Sequence, residues 1–166
     1  MAAPAPQASS EQFLAMGRQV LASQPFSVLV GAEMHALRPG FIDLQLPITD
    51  QVKQQHGFAH GGAVSYLADN ALTFAGGTAM QVPVVTAEFK INYLRPAIGE
   101  RLIARARAVH VGRAQAVCTC EIFAVKDGQE TLCALAQGTI ARLPSARQAP
   151  PGRGRSGARR SPGAGS

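Results

Sequence analysis

The chain is 166 residues long, 46% hydrophobic and 16% charged, which suits one domain with a sizeable core and is too short for two ordinary ones. This composition excludes a collagen-like or wholly disordered chain, and no apolar run approaches the roughly 18 residues that cross a bilayer. The formal net charge of +6 is concentrated in one tail, because Arg147, Arg153, Arg155, Arg159 and Arg160 stand in 144–166 without an acid and the remainder is close to neutral.

A Pro/Ala leader opens the chain without the basic and apolar regions of a secretory signal, so a cytoplasmic location is expected. Over 11–24, Phe13, Leu14, Met16, Val20 and Leu21 recur near helical spacing with Ser10 as cap; leader and helix together take 1–24. The runs 28–37 and 41–46 read as two strands joined at Arg38-Pro39-Gly40, a hairpin. The stretch 49–59 is polar and aperiodic and leads to His60-Gly61-Gly62, then AVSYLADNALTFAGGTAM. That segment predicts the central helix. Val64, Leu67, Ala68, Ala71, Leu72, Phe74 and Ala75 make it apolar around much of its circumference, as in a buried helix, and Gly76-Gly77 is its expected stop.

Beyond Val82 the pattern turns to long strands at 84–94, 101–111, 115–126 and 130–143, with turns at 96–99, Gly112-Arg113 and Asp127-Gly128. Asp-Gly is a strong hairpin signal. Short connections between sequential strands predict an antiparallel meander, hence an α+β fold in which a curved antiparallel β-sheet wraps one long central helix over 25–143. The Arg/Gly/Pro/Ser-rich tail, 144–166, cannot bury enough surface to offset its ordering entropy and is expected to be disordered. No aromatic is interleaved with its arginines for base stacking, so nucleic acid is not an expected partner. Cys118, Cys120 and Cys133 are an odd set in a chain without a secretion signal, which argues for reduced thiols. Cys118 and Cys120, two apart on a strand, share one buried face and are expected in the core rather than on a metal. His35 and His110 read as tolerated strand residues.

Two features of the central helix carry chemistry. Asp69 is a carboxylate among Leu67, Ala68, Ala71 and Leu72; such a group is hydrogen-bonded, protonated or functional, or else lies on a solvated stripe with Ser65 and Thr73. At the helix entrance, Gly61 and Gly62 leave the first N–H groups unobstructed, and those donors with the helix dipole favour an oxyanion, although paired glycines also serve plain loop-to-helix entries. Eight residues at 1.5 Å rise put the entrance and Asp69 roughly 12 Å apart. One reacting carbonyl cannot touch both, so if both act they come from different subunits of a dimer with opposed central helices.

The run from Gln54 to Ala71, QQHGFAHGGAVSYLADNA, and the later run VTAEFKINYLRPA from Val85 to Ala97 resemble the hotdog-fold acyl-CoA thioesterases of the phenylacetic acid degradation (PaaI-like) group. The resemblance spans about 25–143. It implies that Asp69 is the catalytic carboxylate, as nucleophile or as general base for water, and that Gly61, with Gly62 beside it, donates a backbone N–H to the thioester carbonyl. It also implies that His60 holds the loop and that Thr86, on the following strand, lies near the attacking water or carboxylate. Many members place Asn where this chain has Gln54, so either Gln54 or His56 would orient the water or the carbonyl.

The resemblance therefore points to a thioester hydrolase acting on acyl- or aroyl-CoA as a homodimer or homotetramer. It implies no cofactor and no metal, because a thioester is already activated. Phe58, Tyr66 and Met80 are the expected acyl lining, and Lys90, Arg95 and Arg113 the candidate cations for CoA phosphates. The rival reading is a hotdog module that binds acyl-CoA without cleaving it; a hydroxyacyl dehydratase shares the fold but needs a His and an acid in a motif absent here.

Overall fold

The computed structural model describes residues 10–144. The leader 1–9 and the tail from 145 onward, with its expected disorder and its arginines, lie outside the described residues. Helix α1 (Ser10–Ala22) is followed by α2 (Pro25–Val30), strands β1 (Glu33–Arg38) and β2 (Phe41–Pro47), a 3₁₀ turn (Asp50–Val52), the central helix α3 (Gly61–Met80), and strands β3 (Val84–Tyr93), β4 (Arg101–Val111), β5 (Gln115–Lys126) and β6 (Gln129–Arg142).

All six strands form one antiparallel sheet in the order β1-β2-β4-β5-β6-β3. Period-two alternation puts Ile42, Leu44 and Leu46 of β2, Leu102 of β4 and Ile122 of β5 on the face under α3, all fully buried with Leu67 and Leu72 of the helix. Ala104, Ala106, Cys118, Cys120, Ala134 and Ala136 line the same face and are also buried; their small volume lets the sheet curve closely around the helix. The three cysteines are free and buried. On the outer face Arg105 bridges Asp43 at 3.1 Å and Glu130 at 2.6 Å. The helix-wrapping antiparallel sheet is the hotdog architecture.

Three expectations about elements need correction. The first extended run begins at Glu33, not at 28, because Pro25 at the first helical turn and Gly31 in the left-handed conformation (φ 71°) start and stop a helix over 25–30. Gly76-Gly77 does not stop α3. The helix continues to Met80 and closes on Gln81 at φ 54°, and Gly76 is instead a close-approach site: a Cβ there would lie 2.7 Å from the Ile140 Cβ of β6. The strands after α3 are not one meander. Only β4-β5-β6 is, with Asp127 (φ 50°) and Gly128 (φ 76°) making its last tight turn. Strand β3 pairs with β6 at the far edge, and residues 94–100 carry the chain back to the middle of the sheet.

Candidate active site

The loop before α3 is fixed by its own backbone. His60 N–H donates to Val52 O at 2.8 Å and Ala59 N–H to Ala97 O at 3.0 Å, so the entrance is tied to both the 3₁₀ turn and the β3–β4 crossover. His60 is the N-cap, and its Nδ1 accepts the Gly62 N–H at 2.9 Å. An accepting Nδ1 is unprotonated, which places the imidazole proton on Nε2. His60 O takes the N–H groups of Ala63 at 2.9 Å and Val64 at 3.2 Å. Of the first four helical donors, this leaves the Gly61 N–H without an intramolecular partner among the described residues. Gly62, expected as a neighbouring donor, is instead occupied by the cap.

Tyr93, at the end of β3, completes the entrance. Its hydroxyl donates to Gly61 O at 3.0 Å and lies 2.6 Å from Ser65 Oγ. A phenol has one proton, so Ser65 is the donor of the second bond. Tyr93 stands inside the run VTAEFKINYLRPA, where nothing local marks it; only the packing of β3 against α3 brings it to the glycine.

Asp69 lies two turns further along α3, on the side facing β3. Thr86 Oγ1 donates to Asp69 Oδ1 at 2.7 Å, and Thr73 Oγ1 donates to Asp69 O at 2.8 Å while lying 2.8 Å from Thr86 Oγ1. Two hydroxyls thus brace one residue, one at its carboxylate and one at its backbone. Asp69 is neither stranded in the core nor fully solvated: it is half-buried, with Oδ2 given no partner by these bonds.

A cleft of about 550 Å³ opens at the entrance, lined by Phe58, Gly61, Tyr93, Arg95 and Cys133 among others. Phe58 and Arg95 are therefore beside the free N–H. Cys133 is buried there, and burial, the main influence on it, pushes its thiol upward and away from the thiolate that nucleophilic attack needs. Gln54 Oε1 accepts the His56 N–H at 2.7 Å, so its amide oxygen is spent on its own loop, and the exposed His56 ring lies 6.3 Å from that of Phe58. Tyr66 turns away, toward α2, where its hydroxyl donates to Ser27 Oγ at 2.6 Å. Met80 ends α3 at the opposite pole from Gly61. Lys90 stands in a groove with Glu88, Arg105 and Arg107 on the outer face of the sheet, and Arg113 sits in the β4–β5 turn, so neither shares the entrance cleft. Among the described residues no three His, Cys, Asp or Glu side chains gather as a metal site, and no helix is long and apolar enough to cross a membrane.

Residues 56–131 match the family model of the thioesterase superfamily. The acyl-coenzyme A thioesterase PaaI of Escherichia coli is 31% identical over 115 residues, 69% of this chain and 79% of that protein. The 1,4-dihydroxy-2-naphthoyl-CoA hydrolase of Listeria monocytogenes is 27% identical over 114 residues, 68% of this chain and 90% of that protein. Among solved structures, a thioesterase family protein from Silicibacter pomeroyi superposes with a TM-score of 0.72 at 39% identity, covering 75% of this chain and 93% of that one.

Proposed function

The chain belongs to the thioesterase superfamily as a PaaI-like hotdog thioesterase, and from that premise we propose that it hydrolyses acyl-CoA thioesters with Asp69 and the Gly61 N–H as the reacting groups. The observation that carries this reading is the bond from Thr86 Oγ1 to Asp69 Oδ1, which orients a carboxylate on a helix whose first donor is unfilled. The relatives named above that act on CoA esters support the substrate class, one by an acyl and one by a naphthoyl group.

In the proposed reaction the thioester carbonyl oxygen rests on the Gly61 N–H. That donor, aligned with the positive end of α3, favours the negative charge that builds up as the carbonyl carbon becomes tetrahedral. Asp69 acts either as base, taking a proton from the attacking water, or as nucleophile, forming an anhydride that water then cleaves. On both routes the C–S bond breaks, the sulfur leaves as the CoA thiol with a proton, and the acid is released. Thr86 holds the carboxylate in place; His60 and Tyr93 hold the entrance.

The roughly 12 Å between Gly61 and Asp69 along one helix means that a single carbonyl meets Gly61 of one protomer and Asp69 of another. Strand β3 supports this arrangement: it is an edge strand and carries Thr86 at one end and Tyr93 at the other. A second copy paired along that edge would set two α3 helices in opposition and complete two sites. The test is release of CoA thiol from a panel of acyl- and aroyl-CoA esters; turnover of at least one is expected, and binding without thiol release would favour the non-catalytic module.

A further inference from the structure

Helix α2 is turned inside out. Its Ser27 is 1% exposed, whereas Phe26 is 55% and Leu29 71% exposed. The inner side is held by a closed set of hydrogen bonds. Ser27 Oγ donates to Gln24 Oε1 at 2.6 Å, Tyr66 donates to Ser27 Oγ at 2.6 Å, and Asn70 Nδ2 donates to Gln24 Oε1 and to the Tyr66 oxygen, each at 3.1 Å. The Phe26 and Tyr66 rings meet edge to face, 4.9 Å between centroids. A helix of six residues has little stability of its own, so tertiary contacts fix it, and they fix it with Phe26, Val28 and Leu29 facing away from the core while Val30 packs against it. Apolar surface held in place toward solvent marks a receiving site.

On that side Phe26, Leu29, Val30, Val52 and Ala63 line a groove of about 540 Å³ that ends at His60 and Gly62. The cleft with Phe58, Tyr93 and Arg95 lies on the other flank of the helix start and shares Gly62 with it. A thioester seated on the Gly61 N–H has two arms that leave the carbonyl carbon in different directions. The arm ending in CoA phosphates is anionic and suits Arg95. The groove's one cation, Lys53, is already paired with Asp50 at 2.8 Å, so its apolar wall suits the other arm. We infer that the α2 groove receives the acyl group, that the substrates carry an apolar acyl chain of several carbons, and that Phe26 and Leu29 set the chain-length preference. This inference rests on the thioesterase reading above.

The experiment compares kcat/KM for acetyl-, butanoyl-, hexanoyl- and octanoyl-CoA in wild type, Leu29→Asp and Val28→Asp. Burying methylenes should raise wild-type kcat/KM by up to about fourfold per CH₂. Leu29→Asp, at an exposed position where folding tolerates the change, should lower the octanoyl-to-acetyl ratio about tenfold or more. Val28→Asp, on the flank of α2 beside Leu21 and Ala22, should keep the wild-type ratio. Calorimetric binding of the non-hydrolysable S-octyl-CoA and S-ethyl-CoA should show the same preference and its loss in Leu29→Asp. If wild type cleaves no ester but shows that binding preference, the thioesterase reading falls and the groove stands. An unchanged ratio in Leu29→Asp overturns the inference, as does a changed sedimentation mass for that variant, which would mean that a second copy covers the groove.

Discussion

Thr86 Oγ1 lies 2.7 Å from Asp69 Oδ1, a hydrogen bond that runs from the third residue of the β3 edge strand to the middle of the central helix. It couples the one carboxylate of α3 to the strand edge where a second protomer would pair. A hydrogen bond to a charged group is worth about 1.5–3 kcal/mol, and here it positions the carboxylate. Thr86→Val should therefore lower kcat for a cleaved ester by about tenfold to a hundredfold with little change in KM, and Thr86→Ser should restore most of it. Equal kcat in Thr86→Val and wild type would show that the hydroxyl is dispensable.

Gly61 permits an unusually clean probe. It is the first residue of α3, where proline is well tolerated, and its N–H has no bond to lose among the described residues. His60 before it already has φ −63° and ψ 138°, which is compatible with a following proline, and a Cβ at Gly61 meets nothing closer than 3.5 Å. Gly61→Pro should retain the wild-type melting temperature to within a few degrees while kcat falls about 10²- to 10³-fold, the cost of one oxyanion donor. Near-normal turnover would remove Gly61 from the reaction.

The shared-site arrangement predicts complementation. If Asp69→Asn and Gly61→Pro are unfolded together and refolded as a mixture, half the dimers are hybrids with one intact composite site each. Roughly a quarter of the wild-type sites should then return. A mixture as inactive as its parents, with hybrids shown to form by mass spectrometry, would place both groups in one protomer's site.

The buried thiols yield a pH prediction. Burial pushes Cys118 from the ordinary 9.0 to about 11 and raises Cys120 further, with Glu121 adding to the effect there. A thiol whose folded pKa is raised binds its proton more tightly when folded. Its contribution is fully present below the unfolded value near 9.0 and is lost as pH rises toward the folded one. Stability to urea should be insensitive to these groups up to about pH 9 and decline above it, and a thiol reagent at pH 8 should label native protein far more slowly than unfolded protein. Fast labelling of native Cys118 would contradict its burial.

The Gln24–Ser27–Tyr66–Asn70 set predicts a stability effect at the other end of the site. Ser27→Ala deprives half-buried Tyr66 of its acceptor and Gln24 of a donor, which should cost about 1–3 kcal/mol and lower the melting temperature by about 4 °C per kcal/mol. An unchanged melting temperature would show that water replaces the hydroxyl at no cost.

Local patterning explains which parts of this fold are legible in the sequence. Alternation over β4, β5 and β6 and the Asp127-Gly128 turn are local signals, and they place those strands to within a residue or so. Helix α2 is hard to read because Val28, Leu29 and Val30 are an apolar run that fits a strand equally well; the informative residues are Pro25 and Gly31, which bracket it. The place of β3 beside β6 is a non-local pairing that no turn residue announces. Gly76 reads as a breaker locally, but its role depends on Ile140, distant in sequence. At the candidate site, Asp69 and the glycine entrance stand out by residue type and spacing. Thr86 enters only through family resemblance, since nothing local links it to a helix residue 17 positions earlier, and Tyr66 turns toward Ser27, a partner that likewise only the fold selects.

The most direct test of the account is Asp69→Asn, which keeps the volume of the side chain and its bond to Thr86 but removes the charge that serves as base or nucleophile. Thiol release from the best acyl-CoA substrate should fall at least about 10²- to 10⁴-fold, while binding of a non-hydrolysable acyl-CoA thioether and the melting temperature stay near wild type. Turnover within threefold of wild type would contradict the account and leave Asp69 a structural carboxylate.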